Sequence, residues 1–454
     1  MKSRPALPPG PYLVVGLARS GVAAALALRA RGQEVIGCDA GASTDAELGA
    51  AAERLSQAGV DVHLDASGDA LAARAGTLIK SPGVPANAPV VVAARARGLP
   101  VLGELELAWR LVENEFVAVT GTNGKTTTTE WIGHIYRVAA LPVAVVGNVG
   151  TAASSLAGHV LAGATVVCEA SSFQLEDTHA FAPEVAVLLN LEPDHLDRHG
   201  TYDRYVAAKL RIFANQGNHD VAIAPDDLDV EDLGGCGRRV RFGAGPGSEL
   251  SVRAGHLWWG EEALLPTSEI SLPGEHNRAN AMAAAAASLA HGVPADAVAA
   301  GLRSFPGVAH RLELIAVKHG VAFVNDSKAT NVASTLVALR SYTRGVHLIA
   351  GGRGKQQDFG PLAPVVAERC AAVYLIGEAG AELARALEPA GVPIHQLGEL
   401  EPAVRAAARA ASDADIVLLS PACASYDQYK DFEARGEHFR ALVGVLPTMV
   451  NPVP

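Results

Sequence analysis

The chain has 454 residues, more than one hydrophobic core usually spans, and length alone predicts about three domains. A formal charge of −11 with no long basic run argues against nucleic acid or an anionic membrane as the main target, while leaving a local basic pocket and small anionic substrates open. With 49% hydrophobic but only 5% aromatic residues, the interior is filled mainly by alanine, valine and leucine, as in layered α/β proteins.

The first segment opens with the apolar strand YLVVG, turns through GLARSG (Gly16 to Gly21) into the helix VAAALALRARG, and reaches the strand EVIGCDA ending at Asp39. This βαβ unit resembles a dinucleotide fingerprint without its G-x-G-x-x-G spacing, a stronger signal for a nucleotide than for NAD. Further strands are predicted in AGTLIKSPGVP and LPVLGEL. Ser81-Pro82-Gly83 then falls at a strand's C-terminal edge, either a ligand-facing turn or a plain one.

The second segment carries VTGTNGKTTTTEW, from Val119 to Trp131, directly after the strand-like ENEFVAV. A strand, a glycine turn and a Thr-rich helix start aim backbone N–H groups and the helix dipole at one spot, which suits a phosphate chain. Val119 stands where the usual phosphate loop has its first glycine, so the loop is a shortened variant. Gly121, Thr122, Asn123, Gly124, Lys125, Thr126 and Thr127 form it, with Lys125 for the β/γ-phosphates and the Thr126 hydroxyl for Mg²⁺. The strands PVAVVGNVG, TVVCEASSFQLE and PEVAVLLNLEPDHLDRH follow and predict a second parallel sheet with its functional edge at the strand ends. The glycine-rich stretch from GNHDVAIAP to GEEALLP predicts a small antiparallel portion.

Glu169 ends TVVCE, where its carboxylate could complete a Mg²⁺ shell or cap a helix beside Ser171 and Ser172. Asp194, His195, Asp197 and His199 cluster after another strand, with His195 a metal ligand or a base. Lys209 lies in the mostly apolar helix YVAAKLRIF, where chemistry alone favours a snorkelling side chain. The third segment, from SFPGVAHRLELI onward, again alternates strands and helices through VAFVNDSKATN, GVHLIAGGRGK, AAVYLIGEAG and ADIVLLSPACASYDQYKDFEARG.

The predicted architecture is therefore α/β in three domains. Residues 1–103 form a Rossmann-like domain, 104–308 a phosphate-loop ATPase-type parallel sheet with a small antiparallel portion, and 309–454 a second Rossmann-like domain. The five cysteines, Cys38, Cys168, Cys236, Cys370 and Cys423, lack any C-x-x-C pair and read as buried reduced thiols. The N-terminus has no signal-peptide pattern and the longest small-apolar run, AMAAAAASLA, is too short for a bilayer, so a cytoplasmic protein is expected.

GTNGKTT, EASSFQLE, EPDHLDRH, YVAAKLRIF, GEHNRAN, HRLE, NDSKATN and SPACASYDQYKDFEARG occur in the order seen in the Mur ligase family of peptidoglycan synthesis, which the chain resembles over nearly its whole length. The resemblance implies an ATP-dependent amide ligase with two Mg²⁺ ions, Mn²⁺ being an alternative occupant. Its substrates would be UDP-N-acetylmuramoyl-L-alanine and D-glutamate, and it would act as a monomer without nucleic acid or membrane. By that similarity Lys125 and Thr126 hold the phosphates and one metal with Glu169, and His195 with a carbamylated Lys209 serves the second. Asn277, Asn280, Arg311 and Asp326 would hold the nucleotide between the second and third domains. Ser20, Asp39 and Gly83 would hold the uridine nucleotide, and Asn148 the sugar-peptide portion. Thr330, Lys355, Ser425 and Phe432 would line the amino-acid pocket, with Lys328 beside the reacting carboxyl. Arg353, Gln356 and Gln357 around Lys355, and Tyr426 after Ser425, depart from the family pattern. A folylpolyglutamate synthase of the same superfamily, or a phosphate-loop hydrolase or switch, are the alternative readings.

Overall fold

The structure is a computed structural model describing residues 2–446 apart from 149, 229–231, 246 and 355–356. It divides into two compact units, residues 1–306 and 307–454.

The first unit contains two sheets. Strands β1 (Tyr12–Val15), β2 (Val35–Cys38), β3 (Asp61–His63), β4 (Thr77–Lys80) and β5 (Val101–Gly103) pair in parallel in the order β3-β2-β1-β4-β5. The strands β1, β2 and β4 are buried along their whole length because helices cover both faces, whereas the edge strand β3 is partly exposed. The strand order reverses between β1 and β4, and such a reversal opens a crevice at the strands' C-terminal ends. Gly16 and Ser81 meet there, with the Ser81 hydroxyl donating to the Gly16 carbonyl at 2.7 Å.

The second sheet comprises β6 (Phe116–Thr120), β7 (Val143–Gly147), β8 (Thr165–Glu169), β9 (Val185–Leu188), β10 (Val221–Pro225), β11 (Arg238–Gly243), β12 (Leu250–Arg253), β13 (His256–Trp259) and β14 (Glu262–Pro266). Its order is β14-β13-β12-β11-β10-β9-β6-β8-β7. The antiparallel portion is smaller than the sequence suggests. Strands β10, β11 and β12 continue the parallel sheet, and only β12, β13 and β14 form an antiparallel meander. The apolar run of β10 is buried along its whole length, as a strand inside a parallel sheet requires, whereas β14 is partly exposed at the edge.

The Ala-rich run forms a helix, Glu275–Ala290, with Ala281 and Ala283 to Ala287 buried, and it packs on the helix Lys125–Val138 that follows the phosphate loop. Among the described residues no helix is long and apolar enough to cross a membrane. Four cysteines are buried as expected, but Cys236 is exposed in the turn leading into β11.

The second unit holds β15 (Glu313–Lys318), β16 (Val321–Asn325), β17 (Val346–Gly351), β18 (Cys370–Ile376), β19 (Ile394–Gly398) and β20 (Ile416–Leu419) in the order β15-β16-β20-β17-β18-β19. All pairings are parallel except β15 with β16. The ends of β16, β20 and β17 therefore converge on one edge.

Gly21 fixes how the first helix sits on β1, since a Cβ there would lie 1.8 Å from the Gly16 carbonyl oxygen. Gly21→Ala should lower stability by roughly 1–3 kcal/mol through that backbone collision. At Gly83 a Cβ meets nothing within 4 Å, and Gly83→Ala should leave the denaturation midpoint unchanged. Equal midpoints for the two variants would contradict the close-packing argument.

Candidate active site

The phosphate loop leaves β6 and bends through two residues that only glycine tolerates. Gly121 has φ +152° and Gly124 φ +81°, and a Cβ would stand 2.9 Å from Leu189 Cβ at the first and 2.2 Å from Asn280 Oδ1 at the second. Asn190, just past β9, braces the turn: its Oδ1 accepts from Thr122 N at 3.1 Å and Asn123 N at 2.8 Å. Thr122 Oγ1 lies 2.8 Å from the Tyr205 hydroxyl and Asn123 Nδ2 donates to Glu192. Beyond Gly124 the helix begins at Lys125, so the first-turn N–H groups of Lys125, Thr126 and Thr127 face out of its N-terminal end.

Two lysines meet on one backbone oxygen. Gly121 O accepts from Lys125 Nζ at 3.0 Å and from Lys209 Nζ at 2.7 Å, and Lys125 also donates to Thr122 O. Lys209 does not snorkel: it is 2% exposed, its ammonium 4.6 Å from the Tyr205 ring centroid. Burial, reinforced by the charge of Lys125 and opposed by Asp194 and Glu169, lowers its pKa to about 7. The helix Tyr202–Leu210 aims Tyr205 and Lys209 inward together because they stand four residues apart on one face.

Glu169, the last residue of β8, is buried and accepts from Asn148 Nδ2 at 3.2 Å, so the residue expected near the sugar-peptide portion adjoins the expected metal ligand. It caps no helix; Ser171 does that, in a capping box with Gln174. His195 sits on an exposed loop in the left-handed region (φ +50°), its ring 4.8 Å from that of Phe173. Among the described residues no three His, Cys, Asp or Glu side chains converge as a metal cage. Mg²⁺ does not require one, since it is commonly held by one or two carboxylates, waters and substrate phosphates. Asn280 Oδ1 accepts from Thr128 Oγ1 at 3.4 Å beside the loop, whereas Asn277, one turn earlier, donates its amide to the Pro273 carbonyl.

At the other crevice of the unit, Asp39 accepts from Leu17 N at 2.6 Å and Gly41 N at 2.8 Å, shaping the GLARSG turn. Ser20 lies in the first turn of the helix Arg19–Arg29, and Gly83 is exposed on the turn after β4.

In the second unit Asp326, directly after β16, is 4% exposed and accepts from Ser420 Oγ at 2.8 Å and Leu312 N at 3.2 Å. Burial raises its pKa to about 7 against the opposing pull of Ser420, Arg311 and the Leu312 amide. Lys328 donates its N–H to the His310 carbonyl and places its ammonium 5.9 Å from the Phe432 ring centroid, with Thr330 N donating to Lys328 O. Ser425 is buried, and Lys355, with Gln356, lies outside the described residues. Gln357 ties two segments together, accepting from Val332 N and donating to Ala422 O, and Arg353 pairs with Glu378. Tyr426 is 57% exposed.

Residues 119–288 match the Mur ligase middle domain and residues 310–423 the Mur ligase glutamate ligase domain. The UDP-N-acetylmuramoylalanine–D-glutamate ligase of Acidobacterium capsulatum is 42% identical over 95% of both chains, and that of Anaeromyxobacter dehalogenans 43% identical over 94% of this chain and 96% of its own. The chain belongs to the Mur ligase family. The fold agrees: UDP-N-acetylmuramate–alanine ligase of Thermotoga maritima superposes with a TM-score of 0.60 at 20% identity, covering 96% of this chain and 99% of that one. Like the family, this Mur ligase is an ATP-dependent ligase.

Several residues that brace the candidate residues within each unit escape sequence reasoning. Asn190 ends an apolar strand with an amide, and Tyr205 shares a helix face with Lys209, both signals available in the pattern. Arg435 is 1% exposed and donates to Ser327 Oγ at 3.0 Å and to the Ser327 and Cys423 carbonyls at 2.9 and 3.2 Å. Burial lowers its pKa to about 10. Its place between Phe432 and Phe439 in the helix Phe432–Val445 marks a core-facing position.

Asp326 gives a pH test. Its folded pKa, about 7, lies above the ordinary 3.8, so its stabilising contribution is complete below about pH 4 and is lost as pH rises toward 7. Asp326→Asn should therefore gain stability relative to the parent as pH increases from 4 to 7, with no further gain above. Parallel stability–pH curves would contradict the buried acid.

Proposed function

We propose that this Mur ligase joins D-glutamate to UDP-N-acetylmuramoyl-L-alanine through an acyl phosphate, as a monomer in the cytoplasm. The observation that carries the reading is the Gly121 carbonyl at the mouth of a glycine cradle, which fixes the Lys125 ammonium and holds the Lys209 side chain beside it. One ammonium, that of Lys125, beside a helix N-terminus favours a polyanion, and the cradle at Gly121 and Gly124 has no room for a Cβ, as close approach of a phosphate chain requires. The names of relatives about 40% identical along the chain supply the two substrates.

In this reading a carboxylate oxygen of the L-alanine residue attacks the γ-phosphorus of ATP and ADP leaves. The amine of D-glutamate then adds to the acyl carbon, and phosphate departs with the oxygen that attacked. Lys125 balances the charge that gathers on the transferring oxygens, and Lys328 that of the tetrahedral intermediate. Thr126 and Glu169 would hold one Mg²⁺ and His195 with Lys209 a second, and the ions would supply Lewis-acid neutralisation of phosphate oxygens. Asn280 and Asn277, with Arg311 and Asp326 of the second unit, are assigned to the nucleotide. Ser20, Asp39 and Gly83 are assigned to the uridine diphosphate and Asn148 to the sugar-peptide. Thr330, Ser425, Phe432 and Lys355 are assigned to D-glutamate. The domain limits 1–103, 104–308 and 309–454 follow the same division of labour.

A carbamate on Lys209 suits its surroundings. A buried amine whose pKa falls to about 7 holds a substantial free-base fraction near neutrality, the form that adds to CO₂, and the product replaces a crowded cation by a hard-metal ligand. Lys209→Ala should lose activity and regain part of it with a short carboxylic acid in excess. Full activity of Lys209→Ala with CO₂ excluded would remove the carbamate.

The substrate assignment is tested by mass spectrometry of the amide product, with ATP, UDP-N-acetylmuramoyl-L-alanine and a panel of amino acids. Formation should be far faster with D-glutamate than with L-glutamate, D-alanine, L-lysine or diaminopimelate, and Lys125→Ala should lower kcat by about 10²–10³-fold. Preference for another amino acid would overturn the specificity; ATP turnover without either substrate would favour a hydrolase.

A further inference from the structure

A closed ring of charges joins the first two sheets between the crevice at Gly83 and the loop bearing His195. Lys80, the last residue of β4, is completely buried. Its ammonium donates to the Val84 carbonyl at 2.7 Å and lies 2.7 Å from Asp177 Oδ2 and 3.3 Å from Glu176 Oε1. Arg198 Nη2 donates to the same two acceptors, Glu176 Oε1 at 2.6 Å and Val84 O at 3.2 Å. Two cations thus share one carboxylate oxygen and one backbone carbonyl.

The ends of this ring are not arbitrary. Val84 continues the turn Ser81–Gly83, and Arg198 stands one helical turn past His195. The Arg198 guanidinium carbon lies 4.1 Å from the Phe173 ring centroid, and the His195 ring lies 4.8 Å from the same ring. Arg198 therefore touches both the carbonyl that ends the substrate turn and the aromatic surface on which His195 rests. Buried ion pairs add little net stability over apolar packing of equal volume, because desolvation offsets attraction; the geometry they impose is more specific. An apolar contact would hold the sheets together without fixing the turn to the histidine loop.

We propose that Arg198 is a positioning residue, the centre of a latch with Lys80 and Glu176 that holds the Ser81–Gly83 turn in register with the His195 loop. The latch aligns the carboxylate of the bound UDP-linked substrate, which accepts the phosphoryl group, with the phosphate loop. This deepens the proposed function and rests on its assignment of the UDP-linked substrate to that turn.

The test is steady-state kinetics and thermal unfolding of the full-length enzyme for Arg198→Met, Arg198→Lys, Glu176→Gln, Lys80→Met and the Arg198→Met/Lys80→Met double variant. Misalignment of reacting groups predicts that Arg198→Met lowers kcat about 10–100-fold at saturating substrates, while the KM for ATP and the unfolding midpoint stay near the parent values. Arg198→Lys should restore part of kcat, because a lysine still reaches a carboxylate or carbonyl. The double variant should be less impaired than the product of the single effects, since both cations use the same acceptors. An unchanged kcat, a loss that follows the unfolding midpoint, or multiplicative single effects would overturn the latch. Should Arg198→Met not fold, Glu176→Gln carries the test: it keeps an acceptor oxygen of the same shape but removes the shared charge, and the same selective fall in kcat is expected. If the parent itself makes no amide from the UDP-linked substrate, the substrate assignment fails; a fully active parent with unaffected variants removes the latch alone.

Discussion

The carbonyl oxygen of Gly121 is the point on which this active site turns. Placing two ammonium groups on one backbone oxygen is electrostatically costly, and the surrounding chain is arranged to make it hold. Gly121 can present that oxygen because its φ of +152° excludes a side chain. Asn190 braces the turn, and Tyr205 supports it from below through Thr122 while lending its ring face to Lys209. The cost falls on Lys209, whose charged form is destabilised, while the Lys125 ammonium stands at the helix N-terminus. Such an arrangement is worth its strain where, as proposed, a triphosphate is held and its charge redistributed during transfer.

The same logic recurs in the second unit with both signs of charge. Asp326 is a buried carboxyl raised toward neutrality, at the converging ends of β16 and β20, and Arg435 is a buried guanidinium satisfied by carbonyls and a hydroxyl. Both units thus keep ionisable groups in poorly solvated positions at the C-terminal ends of parallel strands. Parallel α/β sheets leave that edge open, so it is where a costly polar arrangement can be held rigidly and still meet a ligand.

Much of this was legible in the sequence because strand ends and glycine turns are local signals. The phosphate loop, the strand ending at Glu169 and the NDSKATN turn all sit where the alternation of apolar runs and polar ends puts them. What the sequence could not settle depends on contacts between distant segments. Lys209 in YVAAKLRIF looks like a lysine with an exposed tip, and only the packing of its helix under the loop buries it. Lys80 and Arg198 are ordinary charges until β4 and the His195 loop are brought to one carboxylate. The run from β10 to β12 has the glycine content of hairpins, yet its strands pair in parallel with one another. Cys236 gave no cue at all that it alone among the five thiols would be exposed.

Oxygen tracing tests most directly the proposed attack of a carboxylate on a γ-phosphate held by the Lys125 loop. With both oxygens of the L-alanine carboxylate labelled as ¹⁸O, one complete turnover should leave one label in the amide carbonyl and deliver the other to inorganic phosphate. Unlabelled phosphate, with the second label recovered in water, would contradict an acyl phosphate and with it the role assigned to the loop.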